Sequence, residues 1–120
     1  MPETDPNGIG AHQPGAKLDA GKVAVLRGAL QYFPRAIKAV AAVSEAGAKK
    51  YSWKGWEKVD DGVNRYGDAL ARHLLAEETE GPVDKDTGCL HMTQVAWNAL
   101  ARLELYLRSN PVLGEDKNAL

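Results

Sequence analysis

Three stretches of this 120-residue chain repeat apolar side chains at the spacing of an α-helix. The first begins near Pro34, a residue suited to the opening position of a helix, and continues to about residue 48. The second covers about residues 63–78, and the third covers about residues 90–107 and ends before Asn110 and Pro111. No segment alternates polar and apolar residues over the length of a strand. The pattern predicts an all-α fold, a compact bundle of three to four helices.

The remaining segments divide the chain around these helices. Residues 1–21 are rich in glycine and proline and lack apolar periodicity, which predicts a flexible N-terminal arm. Residues 22–108 form a single predicted helical domain, because a chain of this length has room for one core. Residues 109–120 are predicted to form a C-terminal tail.

Charge and composition exclude several classes of protein. The net charge of -1 gives no basic field of the kind that binds nucleic acid. The apolar runs are too short for a membrane span, and the polar first ten residues do not resemble a signal peptide. Cys89 is the only cysteine, so no disulfide forms within the chain. We expect a cytoplasmic protein without a nucleic-acid or membrane partner.

The second predicted helix carries a carboxylate on its apolar face. Glu77 projects close to Leu70 on a helical wheel, whereas Asp68 and Arg72 lie on the opposite side as a solvated pair. A buried charge needs a partner. His73 lies one turn from Glu77, which suits a divalent metal or a histidine oriented by a carboxylate. The alternative is a salt-bridged or capping Glu77 with His73 at the edge of the core.

The third predicted helix has an apolar stripe and a polar one. The apolar stripe, expected to form the core, is Met92, Ala96, Ala99, Leu100, Leu103 and Leu107. The neighbouring stripe is His91, Val95, Asn98 and Arg102. If the two helices pack antiparallel, Glu77, Asp86, His91 and Asn98 meet.

The connection between these helices is acidic. Asp84 and Asp86, followed by Gly88, offer two oxygen ligands in one turn, a pattern suited to a hard cation. The alternative is a plain acidic turn in which Thr87 or Asp86 caps the third helix.

Residues 49–62 combine lysines with aromatic side chains. Lys49, Lys50, Lys54 and Lys58, together with Arg65, suit the oxygens of a phosphate group. Trp53 and Trp56 have the ring size to stack on a base. The alternative is a solvated basic loop whose tryptophans close the core.

Five fragments follow one another in an order typical of one family. They are GAKKY at 47–51, WxKV at 56–59, RYxDAxxRHLLAE at 65–77, DxDTGxxH at 84–91 and VAWNAL at 95–100. With KLDxGK at 17–22, this set resembles the phage and bacterial dATP/dGTP diphosphohydrolases, which are similar to the all-α MazG-type nucleotide pyrophosphatases. The pair Glu77 and Glu80 fits the Glu-x-x-Glu helix of MazG enzymes, whereas the last helix has His91 and Asn98 in place of a second carboxylate pair.

The resemblance implies an enzyme that hydrolyses purine deoxynucleoside triphosphates to the monophosphate and pyrophosphate with Mg²⁺ or Mn²⁺, in a bacterial or phage-infected cytosol. It makes residues 22–108 a catalytic domain. The expected catalytic residues are His73, Glu77, His91 and Asn98. The expected metal ligands are Glu77, Glu80, Asp84 and Asp86. The expected substrate-binding residues are Lys49, Lys50, Tyr51, Trp56, Lys58 and Arg65.

A second hypothesis is a helical binding or accessory module without catalysis. One form of this hypothesis is a degenerate relative that binds a nucleotide but does not hydrolyse it. The position of Glu77 separates the two hypotheses, because catalysis requires it in an open cleft close to Asp86. A core of three or four helices is thin, so we also expect a homo-oligomer that buries an apolar helix face.

Overall fold

The computed structural model describes residues 2–111, which form two compact units, residues 2–32 and residues 33–111. The three long helices are α1 at Pro34–Lys50, α2 at Gly62–Glu80 and α3 at His91–Ser109. A turn of π-helix occupies Leu26–Leu30 and a turn of 3-10 helix occupies Gly55–Lys58. Within residues 2–111 the regular structure is helical apart from one isolated bridge between Val83 and Leu90, which confirms the all-α prediction.

The unit formed by residues 2–32 is organised around one carboxylate. Asp5, which is only 9% exposed, accepts hydrogen bonds from the backbone N–H groups of Asn7, Ile9 and Lys17. The N–H of Ala20 also donates to the carbonyl of Thr4 at 2.9 Å. These bonds close the segment on itself. It contains the predicted N-terminal arm, whose flexibility stays a prediction.

Helices α2 and α3 form the main helical contact of the second unit and run antiparallel. His73 meets His91 at one end of the pair, and Arg102 donates to the carbonyl of Val63 at 2.9 Å towards the other. Gly62 leaves room for a side chain of α3, because a Cβ atom at this position would lie 2.6 Å from Cδ1 of Leu105. Helix α1 packs on α3, where Nε1 of Trp97 donates to Oγ of Ser44 at 2.9 Å.

The face that α3 buries differs from the predicted one. Its buried residues are His91, Gln94, Asn98 and Ala101. Most of the predicted apolar stripe is exposed, including Met92 at 65%, Leu103 at 54% and Leu100 at 47%. The prediction was wrong because apolar periodicity identifies a face that avoids water but does not identify the surface that covers it.

Two smaller differences concern the boundaries of the helices. Lys49 and Lys50 belong to the last turn of α1, not to the loop after it. Neither Thr87 nor Asp86 caps α3, whose N-cap position is Leu90 without a side-chain cap bond.

Among the described residues, none of the helices has the length and apolar character that a bilayer crossing requires. The predicted C-terminal tail lies mostly outside the described residues, which end at residue 111.

Candidate metal and phosphate site

Two histidines and one aspartate converge where α2 and α3 meet. His73 projects from α2, His91 opens α3, and Asp84 lies in the connection between them. Each offers one donor atom, and the three donor atoms all lie within 4.8 Å of one another. Nδ1 of His73 is 2.9 Å from Nδ1 of His91. The triad His73–Asp84–His91 therefore has the composition and spacing of a site for a divalent cation.

Backbone hydrogen bonds fold the connection so that Asp84 faces the histidines. The N–H of Asp84 donates to the carbonyl of Cys89, and the N–H of Gly88 donates to the carbonyl of Asp84. Gly88 adopts a φ of +74°, which favours glycine because it has no Cβ. The N–H of His91 donates to the carbonyl of Pro82. The fragment DxDTGxxH thus forms a closed turn that sets Asp84 beside His91.

Side-chain bonds then fix the carboxylate of Asp84. Oδ2 accepts from Nε2 of Gln94 at 2.9 Å, and Oδ1 accepts from the N–H of Asp86 at the same distance. The same amide of Gln94 lies 3.2 Å from Oγ1 of Thr87. Asn98 donates to the carbonyl of Gln94 at 2.8 Å. This polar network satisfies the buried side chains of Gln94 and Asn98, and the contact with His73 does the same for His91.

Electrostatics favour the forms of these groups that bind a cation. Burial lowers the pKa of the His73 imidazole; attraction to Asp84 opposes that shift, while His91 and Arg72 add to it. Burial alone would raise the pKa of Asp84, but the hydrogen bonds from Gln94 and Asp86, with attraction to the two histidines, lower it overall. Both shifts favour the forms that metal ligation requires, a neutral His73 and an ionised Asp84.

The triad opens into a cavity of about 1060 Å³. His73 and Asp84 are on its wall, whereas His91 is 4% exposed and lies outside the lining. Four cationic side chains also line it: Lys50, Lys54, Arg65 and Arg72. Three carboxylates line the same cavity: Asp68, Asp84 and Asp86. The cavity has the size of a small-molecule pocket, and its cations suit phosphate oxygens.

Aromatic rings form another part of the wall. Trp56, Tyr66 and Trp97 contact one another edge-on, with ring centroids 5.6–6.3 Å apart. The hydroxyl of Tyr66 donates to the carbonyl of Trp56 at 2.8 Å. Trp56 also receives the guanidinium of Arg108 over its ring. In contrast, Tyr51 and Trp53 line the cavity with 77% and 68% of their surface exposed. The ring of Trp53 is open to a ligand, while Nζ of Lys50 lies over the ring of Tyr51, 5.6 Å from its centroid.

The structure brings some of the predicted site residues together. His73, Asp84 and His91 share the triad, while Asn98 lies beside it on the cavity wall. Asp86 lines the cavity but forms an ion pair with Lys50 at 3.3 Å, not a part of the triad. The cavity lining includes four of the predicted substrate-binding residues: Lys50, Tyr51, Trp56 and Arg65.

Other predicted residues lie elsewhere. Of residues 2–111, neither Glu77 nor Glu80 belongs to a cation-binding group, and neither lines the cavity. Glu77 is half-buried and Glu80 is exposed. Lys49 and Lys58 also lie outside the cavity lining. Glu77 therefore does not share the cavity that Asp86 lines, which is the position that the catalytic hypothesis required of it; Asp84 takes that place. The ligand role of the two glutamates stays a prediction.

The polar side of α2 is also the side that faces the cavity. Asp68 and Arg72 line it, although the helical wheel had assigned them to the solvated surface far from the site. The prediction that these two side chains are solvated is compatible with the structure, because the wall of an open cavity is also in contact with solvent. Sequence reasoning also missed Gln94, the residue that holds Asp84. Its signal was its position three residues after His91, on the same face of α3.

Comparison with known proteins identifies the family of the chain. A search of curated proteins and of solved structures found no significant match to the chain. A family model described as dATP/dGTP diphosphohydrolase, N-terminal, matches residues 12–114. That range includes all three helices and every residue of the triad and cavity described above. The chain therefore belongs to the dATP/dGTP diphosphohydrolase N-terminal family.

Proposed function

We propose that this protein hydrolyses purine deoxynucleoside triphosphates, dATP or dGTP, to the monophosphate and pyrophosphate with the help of a divalent ion, Mg²⁺ or Mn²⁺. The observation that supports this most is the position of the triad, at the edge of a cavity that four cationic side chains line. Family membership supports the same activity, since the family is described by it.

The basic side chains would bind the triphosphate. Arg65 and Arg72 lie two turns apart on the same side of α2, so their guanidinium groups can approach the same chain of phosphates. Lys50 approaches from the end of α1, where it now contacts Asp86. That ion pair is exposed on both sides, so it costs little to replace with a phosphate contact. Binding the phosphates from α1 and α2 together would aim the α-phosphate towards His73 and Asp84.

The triad residues fit a divalent ion, because a deprotonated carboxylate and two imidazole nitrogens are all established metal donors. His73, Asp84 and His91 would hold it. When bound, such an ion polarises phosphate oxygens and lowers the pKa of a water molecule. Gln94 keeps Asp84 in place through its hydrogen bond to Oδ2, and Asn98 fixes the backbone of Gln94 in turn. These residues preorganise the site, and positioning supplies much of the rate of phosphoryl transfer.

The nucleobase would bind to the exposed rings at the mouth of the cavity. Trp53 presents an exposed ring, and Tyr51 presents the ring face that Lys50 does not cover. Stacking on an aromatic ring suits a purine well, since a purine has the larger π surface. Trp56, which the sequence analysis placed in substrate binding, instead packs against Tyr66 and Trp97 and would act by supporting the wall.

A direct test is to incubate the purified protein with dATP, dGTP, dCTP or dTTP and Mn²⁺, and to separate the products. Pyrophosphate and a purine monophosphate are expected, with the pyrimidine nucleotides cleaved more slowly. Purine nucleotide binding without hydrolysis would support the non-catalytic module instead. Neither binding nor hydrolysis with any of the four nucleotides would contradict the proposal.

A further inference from the structure

The donor atoms of the triad narrow the kind of cation that it takes. Two of the three donors are imidazole nitrogens and one is a carboxylate oxygen. Mg²⁺ strongly prefers oxygen ligands and keeps several of its waters, whereas imidazole suits first-row transition metals. A set of two histidines and one carboxylate that leaves other positions open is a recurring transition-metal site.

The distance between the two histidines agrees with ligation of one ion. Two nitrogens bonded to the same ion at about 2.1 Å and at a right angle to each other lie about 3.0 Å apart. The observed separation between Nδ1 of His73 and Nδ1 of His91 is 2.9 Å. In the absence of an ion, this contact requires one Nδ1 to carry a proton and the other to accept it. A cation that binds both nitrogens replaces that single shared proton.

The surroundings of the triad also match a built site. Asp84 is held through both oxygens, by Gln94 and by the N–H of Asp86, so its direction is set before an ion arrives. His91 is nearly fully buried and its backbone N–H is bound to Pro82. His73 and Asp84 face the cavity, which gives an ion a path from solvent and leaves room for phosphate oxygens or water.

We infer that His73, Asp84 and His91 form a site that binds a divalent transition metal, of which Mn²⁺, Co²⁺ and Zn²⁺ are examples, in preference to Mg²⁺. This inference rests on the proposed function, which requires a divalent ion, and it specifies which kind of ion the three residues prefer. The two imidazoles provide the selectivity, and Asp84 provides charge. The ligands that the protein does not supply come from solvent or from the nucleotide phosphates.

The first experiment uses the unmodified chain, freed of metal and without nucleotide. The chain contains three histidines, so its imidazole nitrogens can be followed separately by NMR after ¹⁵N-histidine labelling. One equivalent of Zn²⁺ is expected to shift Nδ1 of His73 and of His91 and to leave exposed His12 unchanged. A large excess of Mg²⁺ is expected to leave all three in place. Unshifted His73 and His91 resonances with Zn²⁺ would overturn the inference.

A second experiment measures affinity by calorimetry, again without nucleotide. Mn²⁺ is expected to bind about 100-fold more tightly than Mg²⁺. His73→Ala and Asp84→Asn are each expected to weaken Mn²⁺ binding about 10-fold or more. The matched controls are His12→Ala and Glu78→Gln, which change a histidine and a carboxylate outside the site. Equal affinity for Mg²⁺ and Mn²⁺, or unchanged binding in both site variants, would overturn the inference.

These results separate the inference from the proposed function. Tight Mn²⁺ binding through the histidines with no hydrolysis of any nucleotide would refute the proposed function and support the metal site. Hydrolysis that runs equally well with Mg²⁺, with no effect of Zn²⁺ on the histidine resonances, would support the proposed function and overturn the metal site.

Discussion

Nδ1 of His73 lies 2.9 Å from Nδ1 of His91, so the antiparallel pair of α2 and α3 is joined at one end by two imidazoles. The contact links residues 18 positions apart in the chain. Further along the same pair, a Cβ atom at Gly62 or Gly67 would meet Leu105 or Arg102 of α3. We therefore expect the spacing of the two helices, and with it the histidine contact, to be sensitive to these glycines.

The close approach at Gly62 predicts a clear effect of one methyl group. A Cβ atom there would lie 2.6 Å from Leu105, so Gly62→Ala must displace that side chain and is expected to lower the free energy of unfolding by about 1 kcal/mol. Gly47→Ala is the control, because nothing lies within 4 Å of a Cβ atom at that position in α1. It is expected to raise stability by about 0.5 kcal/mol. Denaturant unfolding of the two variants measures both, and equal effects would contradict the packing described for α2 and α3.

The two tryptophans of the segment after α1 are predicted to respond differently to truncation. Trp53→Ala removes an exposed ring at the cavity mouth, so purine nucleotide affinity is expected to fall by about 10-fold while the melting temperature stays constant. Trp56→Ala removes a ring packed on Tyr66 and Trp97 and is expected to cost about 2–3 kcal/mol of stability. Fluorescence binding assays and thermal melts distinguish them. A large loss of stability in Trp53→Ala would contradict a stacking role.

Asp5 is predicted to stay ionised at unusually low pH. The hydrogen bond from the N–H of Lys17 lowers the pKa of the Asp5 carboxyl; burial opposes the shift, and the N–H groups of Asn7 and Ile9 add to it. Because the folded-state pKa lies below the unfolded value, the stabilisation from these bonds is fully present above the unfolded pKa of about 3.9 and disappears as the pH falls through the folded value. NMR titration of the side-chain carbon measures this. Titration of the Asp5 carboxyl in its ordinary range would count against the Asp5 network.

The exposed apolar side chains of α3 predict that the protein associates with itself. Ala101 is the one apolar residue classed as buried among residues 2–111, while Met92, Leu100 and Leu103 are exposed on one helix. We expect a second copy to cover this face. Leu103→Lys is expected to shift the mass measured by light scattering from oligomer to monomer, whereas Leu75→Lys, at an equally exposed position on α2, leaves it unchanged. A monomeric unmodified chain would contradict this prediction.

Periodicity and turn chemistry predicted the helices well, since amphipathic segments and an Asn-Pro stop are local signals. The position of Pro34 at the start of α1 and the antiparallel pairing across the acidic connection also agree with the structure. The burial pattern of α3 was not predictable in the same way. Gln94 is buried with its amide bonded to Asp84, Asn98 is buried with its amide bonded to the carbonyl of Gln94, and His91 is buried against His73. The bonds to Asp84 and His73 join segments that are distant in the sequence, so helical periodicity alone does not predict them.

In the candidate site, too, the sequence identified individual residues, whereas their arrangement depends on contacts between distant segments. The family motif and helical spacing identified His73, Asp84 and His91, which the fold brings together. Glu77 attracted attention because a carboxylate on an apolar stripe is unusual, yet it lies outside the triad and the cavity. The wheel of α2 gives the direction of each side chain relative to its own helix. It does not show where α3 and the connection place their ligands.

The central claim is that hydrolysis takes place at Asp84 and the two histidines, and one paired measurement tests it most directly. Pyrophosphate release from dGTP with Mn²⁺ is compared between the unmodified protein, Asp84→Asn and the surface control Glu78→Gln, with helicity checked by circular dichroism. Asp84→Asn is expected to lose about 100-fold or more in rate, because the carboxylate charge is gone while the shape is kept. Glu78→Gln is expected to match the unmodified protein. A folded Asp84→Asn protein that releases pyrophosphate at the unmodified rate would contradict the account.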